Sequence, residues 1–186
     1  LQHFAGCHIA TVPTEYGKYG IVDAELALLR EALADGRNSK FVLCSDACVP
    51  LKSFAYVHRV LASDGNAHFA EFDEARGVFA SRLSPLLEVD VQPTCFAKHS
   101  QWWVLNRRVA TLAVSQPADI LRAWQQCEVP DEHYFLTTVR RDHAETADDF
   151  WDADAPTTPR DVVCHSAQSG GDFCFPTHVC WSRAER

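Results

Sequence analysis

The chain contains no methionine among its 186 residues. It does not begin with one, so it reads as an internal piece of a longer protein, trimmed at both ends. It also lacks a long apolar run. Nothing approaches the ~20 residues that a bilayer-spanning helix needs, and the first residues do not have the pattern of a secretory signal. Any membrane attachment is therefore expected through an anchor outside this chain. Positive charge is scarce too: 17 Lys and Arg stand against 25 Asp and Glu, a net charge of −8. The basic residues are scattered, with short pairs only at Arg107-Arg108 and Arg140-Arg141. That excludes a nucleic-acid-binding surface, which needs clustered cations against phosphate. A local basic pocket for a small anion stays open. There is no internal repeat, low-complexity tract or linker up to about residue 141. Residues 1–186 are thus expected to form a single, partial domain.

What is present is ordinary for a globular protein: 47% hydrophobic and 23% charged residues. The length suffices for a core. The eight cysteines are Cys7, Cys44, Cys48, Cys95, Cys127, Cys164, Cys174 and Cys180. An even count at this density fits an oxidising compartment, and disulfides are expected over the alternative of buried free thiols. Connectivity stays open; Cys174 has Cys180 or Cys164 as candidate partners. The spacing does not read as zinc, because no matching pair follows Cys44 and Cys48.

Short apolar runs alternate with helical patterns, the signature of a layered α/β domain. Residues 9–12 and 41–44 read as strands, the second as a buried central one. From Val22, apolar residues recur at Leu26, Leu29 and Leu33, one helical face that Leu28 widens. Ser53 is placed to cap a second helix with Phe54, Val57, Val60 and Leu61 inward. Residues 64–93 are irregular apart from a short strand at 69–72. A strand is expected at 101–105, followed by helices at 107–114 and 117–126. Pro130 opens a further helix through Tyr134, Leu136 and Val139. Residues 142–160 read as an acidic loop and 177–181 as a late strand.

Three segments carry a resemblance. The first is Glu15-Tyr-Gly-Lys18 with Val22-Asp-Ala-Glu25; the second is the run from Phe41 to Leu51, FVLCSDACVPL. The third is Lys98-His-Ser-Gln-Trp-Trp103 followed by Val129-Pro-Asp-Glu-His-Tyr134. In order and approximate spacing they resemble the core-2/I-branching β-1,6-N-acetylglucosaminyltransferase family, glycosyltransferase family 14, in its plant and algal branch. Thr177 to Arg183 resembles a later segment of that family more weakly. The resemblance implies a GT-A-like α/β fold, with a mixed central sheet flanked by helices. It implies an inverting transfer from a nucleotide-sugar (UDP-sugar) donor to a glycan or glycoprotein acceptor. No cofactor is implied, because the family works without the metal-binding Asp-x-Asp motif. It also implies a Golgi lumenal domain behind a type II anchor. N-acetylglucosamine is the donor of the best-known animal members. Relatives nearer to this chain's Ser-Gln-Trp and Asp-Glu-His-Tyr forms use xylose or glucuronic acid. A non-catalytic sugar-binding or scaffolding domain derived from such an enzyme is the alternative.

An inverting transfer needs one base to take the acceptor proton. By resemblance that base is Glu132, expected in the first turn of the helix opened by Pro130, where the backbone dipole favours negative charge. Asp131 is expected to orient or cap. On spacing alone, Pro-Asp-Glu is simply a good helix start. Substrate-binding candidates are Tyr16 and Lys18 in a glycine-flanked loop, Glu71 and Asp73 on the acceptor side, and Lys98, Ser100, Gln101 and Trp102. On a strand Trp102 and Trp103 point to opposite faces; either one stacks on a sugar while the other fills the core, or, the stronger expectation for each alone, both are core. His133 is expected to pack rather than to act. Asp152-Ala-Asp154 is read as acidic loop, not as a metal site, and the family's basic leaving-group residues are expected beyond Arg186.

Overall fold

A computed structural model describes residues 9–45, 47–72, 81–146 and 159–166. It contains a four-stranded mixed sheet flanked by helices, as expected of a layered α/β fold. The helices are α1 (Gly20–Ala34), α2 (Phe54–Leu61), α3 (Arg107–Val114), α4 (Ala118–Trp124) and α5 (Tyr134–Thr146). The strands are β1 (Lys40–Val42), β2 (Ala67–Glu71), β3 (Val104–Asn106) and β4 (Val162–Ser166), in the spatial order β1-β3-β2-β4. β3 runs antiparallel to both β1 and β2, while β4 pairs parallel to β2, with His68 opposite Val163.

α1 forms where the apolar spacing placed it. Val22, Leu26 and Leu29 are buried on one stripe. Leu28 does not widen that stripe; it is 48% exposed. α1 packs on α3, and α3 on α5. Between them lies an aromatic cluster. Trp124 meets Tyr134 at 5.2 Å, Tyr134 meets Phe135 at 5.1 Å, and Phe135 meets Trp103 at 4.8 Å. The first two pairs are edge-to-face, an arrangement that adds about 0.5–1.5 kcal/mol each beyond area burial, and the third is tilted. The Tyr134 hydroxyl donates to the Ala113 carbonyl at 2.7 Å, so its burial leaves no orphan.

Several expectations are corrected. The 41–44 segment is an edge strand, not a central one; only Phe41 of β1 is buried. Residues 9–12 form no strand. Ser53 does cap α2, its hydroxyl accepting from the Tyr56 amide at 3.4 Å. Yet no residue of α2 is buried, and Phe54 is 82% exposed. The expected strand at 101–105 begins only at Val104, because β3 pairs there with both neighbours. α5 runs to Thr146, into the stretch read as a loop. Among the described residues Cys44, Cys48, Cys95, Cys127 and Cys164 are free thiols, so the expected disulfides do not appear among them. Burial pushes the Cys127 and Cys164 thiols up to about 12. Cys7, Cys174, Cys180, the expected strand at 177–181 and Asp152-Ala-Asp154 lie outside the described residues.

Candidate active site

The Pro130–Glu132 segment is a separate 3-10 turn, not the first turn of α5. Val129 enters it in the left-handed region at φ 47°, and His133 leaves it at φ −133°, so the helix starts only at Tyr134. Left-handed backbone costs a β-branched residue about 1–2 kcal/mol. What holds it is a hydrogen bond from the Val129 amide to the Gly17 carbonyl at 3.1 Å. Gly17 is itself left-handed, at φ 71°. The glycine-flanked loop is thereby docked on the Pro130–Glu132 turn. Tyr16, 93% exposed, and exposed Lys18 rise from it into solvent.

A second clasp comes from residues 97–100. The His99 amide donates to the Glu132 carbonyl at 2.8 Å, and the Ser100 amide to the Ala70 carbonyl at 2.8 Å. The Phe72 amide closes back on the Lys98 carbonyl at 2.9 Å. The Lys98-Ser100 segment is thus stapled between the end of β2 and the turn. Its direction explains the side chains. Lys98 reaches across to Glu132, Nζ to Oε2 at 3.6 Å, and lies 5.5 Å from the centre of the Phe72 ring. Glu132 keeps about a third of its side chain (35%) exposed.

His99 turns the other way and is fully buried against Phe69 and Phe135. Its Nδ1 donates to the Ser100 carbonyl at 2.7 Å. Burial pushes its pKa down to about 3, with His133 and Arg140 adding to the fall. His133 is also fully buried, its Nδ1 bonded to the Ala97 carbonyl at 2.8 Å. It packs, as expected.

Asp131 is 6% exposed. Its Oδ1 has no hydrogen-bond partner among the described residues. Burial, and then the charge of Glu132, hold its carboxyl above the ordinary range. Behind it lies a residue quoted in a motif of the sequence but given no role there. Glu25 of α1 is 3% exposed and accepts from Gln101 Nε2 at 3.4 Å. The signal was available: Glu25 falls on the Val22-Leu26-Leu29 stripe, where a charge does not belong.

The remaining candidates fall as follows. Gln101 turns inward to Glu25. The Ser100 hydroxyl accepts from the Trp102 amide at 3.3 Å. Trp102 is half-buried and Trp103 is 2% exposed; both precede β3, so the strand alternation expected of them does not apply. Glu71 gives its Oε1 to Arg140 at 2.7 Å and sits in the bridge between β2 and His99. Asp73 lies outside the described residues. Lys98 and Glu132 thus meet side chain to side chain, with the Tyr16–Lys18 loop docked on the same turn through Gly17, whereas Gln101 and Glu71 are tied to Glu25 and Arg140 instead.

A family model described as Core-2/I-Branching enzyme matches residues 2–185. The chain belongs to that family. It is 28% identical over 155 residues to Glycosyltransferase BC10 of Oryza sativa subsp. japonica, a stretch that takes in 69% of this chain. The match spans 38% of that relative's length. No solved structure matches the chain. The cluster around Glu132 is the candidate site of this core-2/I-branching protein. It offers one solvent-facing carboxylate, a cation beside it and a half-buried aromatic close by.

Proposed function

We propose that the parent protein is an inverting glycosyltransferase. It moves a sugar from a UDP-sugar donor to a hydroxyl of a glycan or glycoprotein acceptor, and Glu132 is its general base. The observation that supports this reading is the Pro130–Glu132 turn itself. It is clasped by two backbone hydrogen bonds, and it presents one partly exposed carboxylate beside Lys98. A carboxylate so held can take the acceptor proton. The acceptor oxygen then attacks the anomeric carbon as the bond to the nucleotide diphosphate breaks on the opposite side. Lys98 orients the carboxylate. The family and the rice relative support the reaction class; the donor sugar among N-acetylglucosamine, xylose and glucuronic acid is left open. Departure of the diphosphate rests on basic side chains in place of a metal. The catalytic domain belongs in the Golgi lumen behind a membrane anchor outside this chain. Among the described residues no helix is long and apolar enough to cross a membrane.

General-base catalysis is worth about 10²–10⁴-fold in rate. Glu132→Gln in the full-length protein is therefore expected to lower kcat at least ~100-fold, while donor binding by calorimetry and the thermal midpoint stay unchanged. Wild-type turnover would sink the assignment. Activity is also expected to survive chelation by EDTA; loss restored by a divalent cation would overturn the metal-free reading.

A further inference from the structure

Glu25 lies on the buried stripe of α1 at 3% exposure. A carboxyl in such a place costs free energy unless its oxygens are satisfied. Gln101 supplies one hydrogen bond, at 3.4 Å to Oε1. The Trp103 indole lies close by, and the Asp131 carboxyl is near enough to repel it. Oε2 of Glu25 and Oδ1 of Asp131 have no hydrogen-bond partner among the described residues. Both atoms are enclosed, so neither meets substrate. Burial, and after it the charge of Asp131, holds the Glu25 carboxyl well above the ordinary carboxylate range.

We infer that Glu25 is a positioning residue for Glu132: held by Gln101 behind the Pro130–Glu132 turn, it backs Asp131 and fixes the turn from which Glu132 projects. This rests on the reading of Glu132 as the base. α1 packs directly on that turn. The turn needs such support because Val129 enters it in left-handed backbone and its two clasps are single backbone hydrogen bonds. Displacement of a reacting group by a fraction of an ångström costs rate without costing affinity.

The test uses the full-length enzyme with Glu25→Gln and Glu25→Ala, beside Glu132→Gln. Glu25→Ala is expected to lower kcat about tenfold, with KM for donor and acceptor moving less than about twofold. Glu25→Gln, of the same length and with an oxygen to accept from Gln101, is expected to restore kcat to within about twofold of wild type. An inactive Glu132→Gln with a Glu25→Ala of wild-type kcat overturns this inference alone. So does a Glu25→Gln whose kcat falls about tenfold with its thermal midpoint unchanged, a measurement that stands even if Glu25→Ala does not fold. An active Glu132→Gln overturns the base assignment, and this inference with it.

Discussion

His99 and Glu25 are both ionisable, both buried, and pull stability in opposite directions with pH. The folded pKa of His99 is about 3, below the 6.5 of an exposed imidazole. The ring is neutral in the fold, while the unfolded chain takes up a proton below 6.5. Stability is therefore lost as pH falls from 6.5 toward 3, by at most about 1.4 kcal/mol per pH unit. Glu25 has a folded pKa raised above 4.5. The fold keeps a proton that the unfolded chain releases, so stability is lost as pH rises above 4.5. The groups that face it are Asp131, Gln101 and Trp103. Denaturant titrations across this range should show that His99→Gln flattens the acid limb. They should also show Glu25→Gln gaining on the wild type as pH rises. Parallel curves for wild type and variant would remove the respective assignment. Of these residues, Glu132, Asp131 and Lys98 were legible in the sequence because their motifs are contiguous. Glu25 was overlooked because its meaning depends on Gln101 and Asp131, which reach it only through the fold.

Elements were legible where the decisive forces are local. α1 shows a clear apolar stripe, and α2 its Ser53 cap. What those signals do not carry is what lies opposite. α2 has an apolar face that no described element covers, and β1 sits at an edge although its run is as apolar as a central strand. β4 escaped notice because it is made by its partner: Val162–Ser166 pairs in parallel with β2 and has no strong period of its own. The loop before α1 makes the sharpest demand. A Cβ on Gly20 would sit 2.5 Å from the Pro13 carbonyl oxygen, a clash with backbone that cannot swing away. Gly20→Ala is expected to destabilise by about 1–3 kcal/mol, read as a lower denaturant midpoint. It should also weaken donor and acceptor turnover, because the same loop carries Gly17 and its bond to Val129. A midpoint within error of the wild type would show that the loop is free to move away.

Across the whole molecule, one side chain joins three distant stretches. Asn106 caps α3 through Oδ1, which accepts from the Val109 amide at 2.9 Å. Its Nδ2 donates to the Gly65 carbonyl at 3.0 Å and to Asp161 Oδ2 at 2.8 Å. Arg108 holds the same aspartate at 2.6 Å. Asn106→Ala removes a cap and three partly buried hydrogen bonds, and is expected to cost about 2–4 kcal/mol. That should be read as a fall in thermal midpoint of several degrees. Loss of less than about 0.5 kcal/mol would show the junction to be redundant. This junction sits where β4 enters the sheet, and that entry sets an order in time. His68 and its parallel neighbour Val163 are separated by 95 positions in the chain. A ribosome adding about 5–20 residues each second needs roughly 5–20 s to deliver the second after the first. Throughout that interval β2 presents an unsatisfied flank to its surroundings, a template for stray strands. Yield in the cell should thus depend on translation speed and on chaperones that shield the nascent chain, more than the finished fold would suggest.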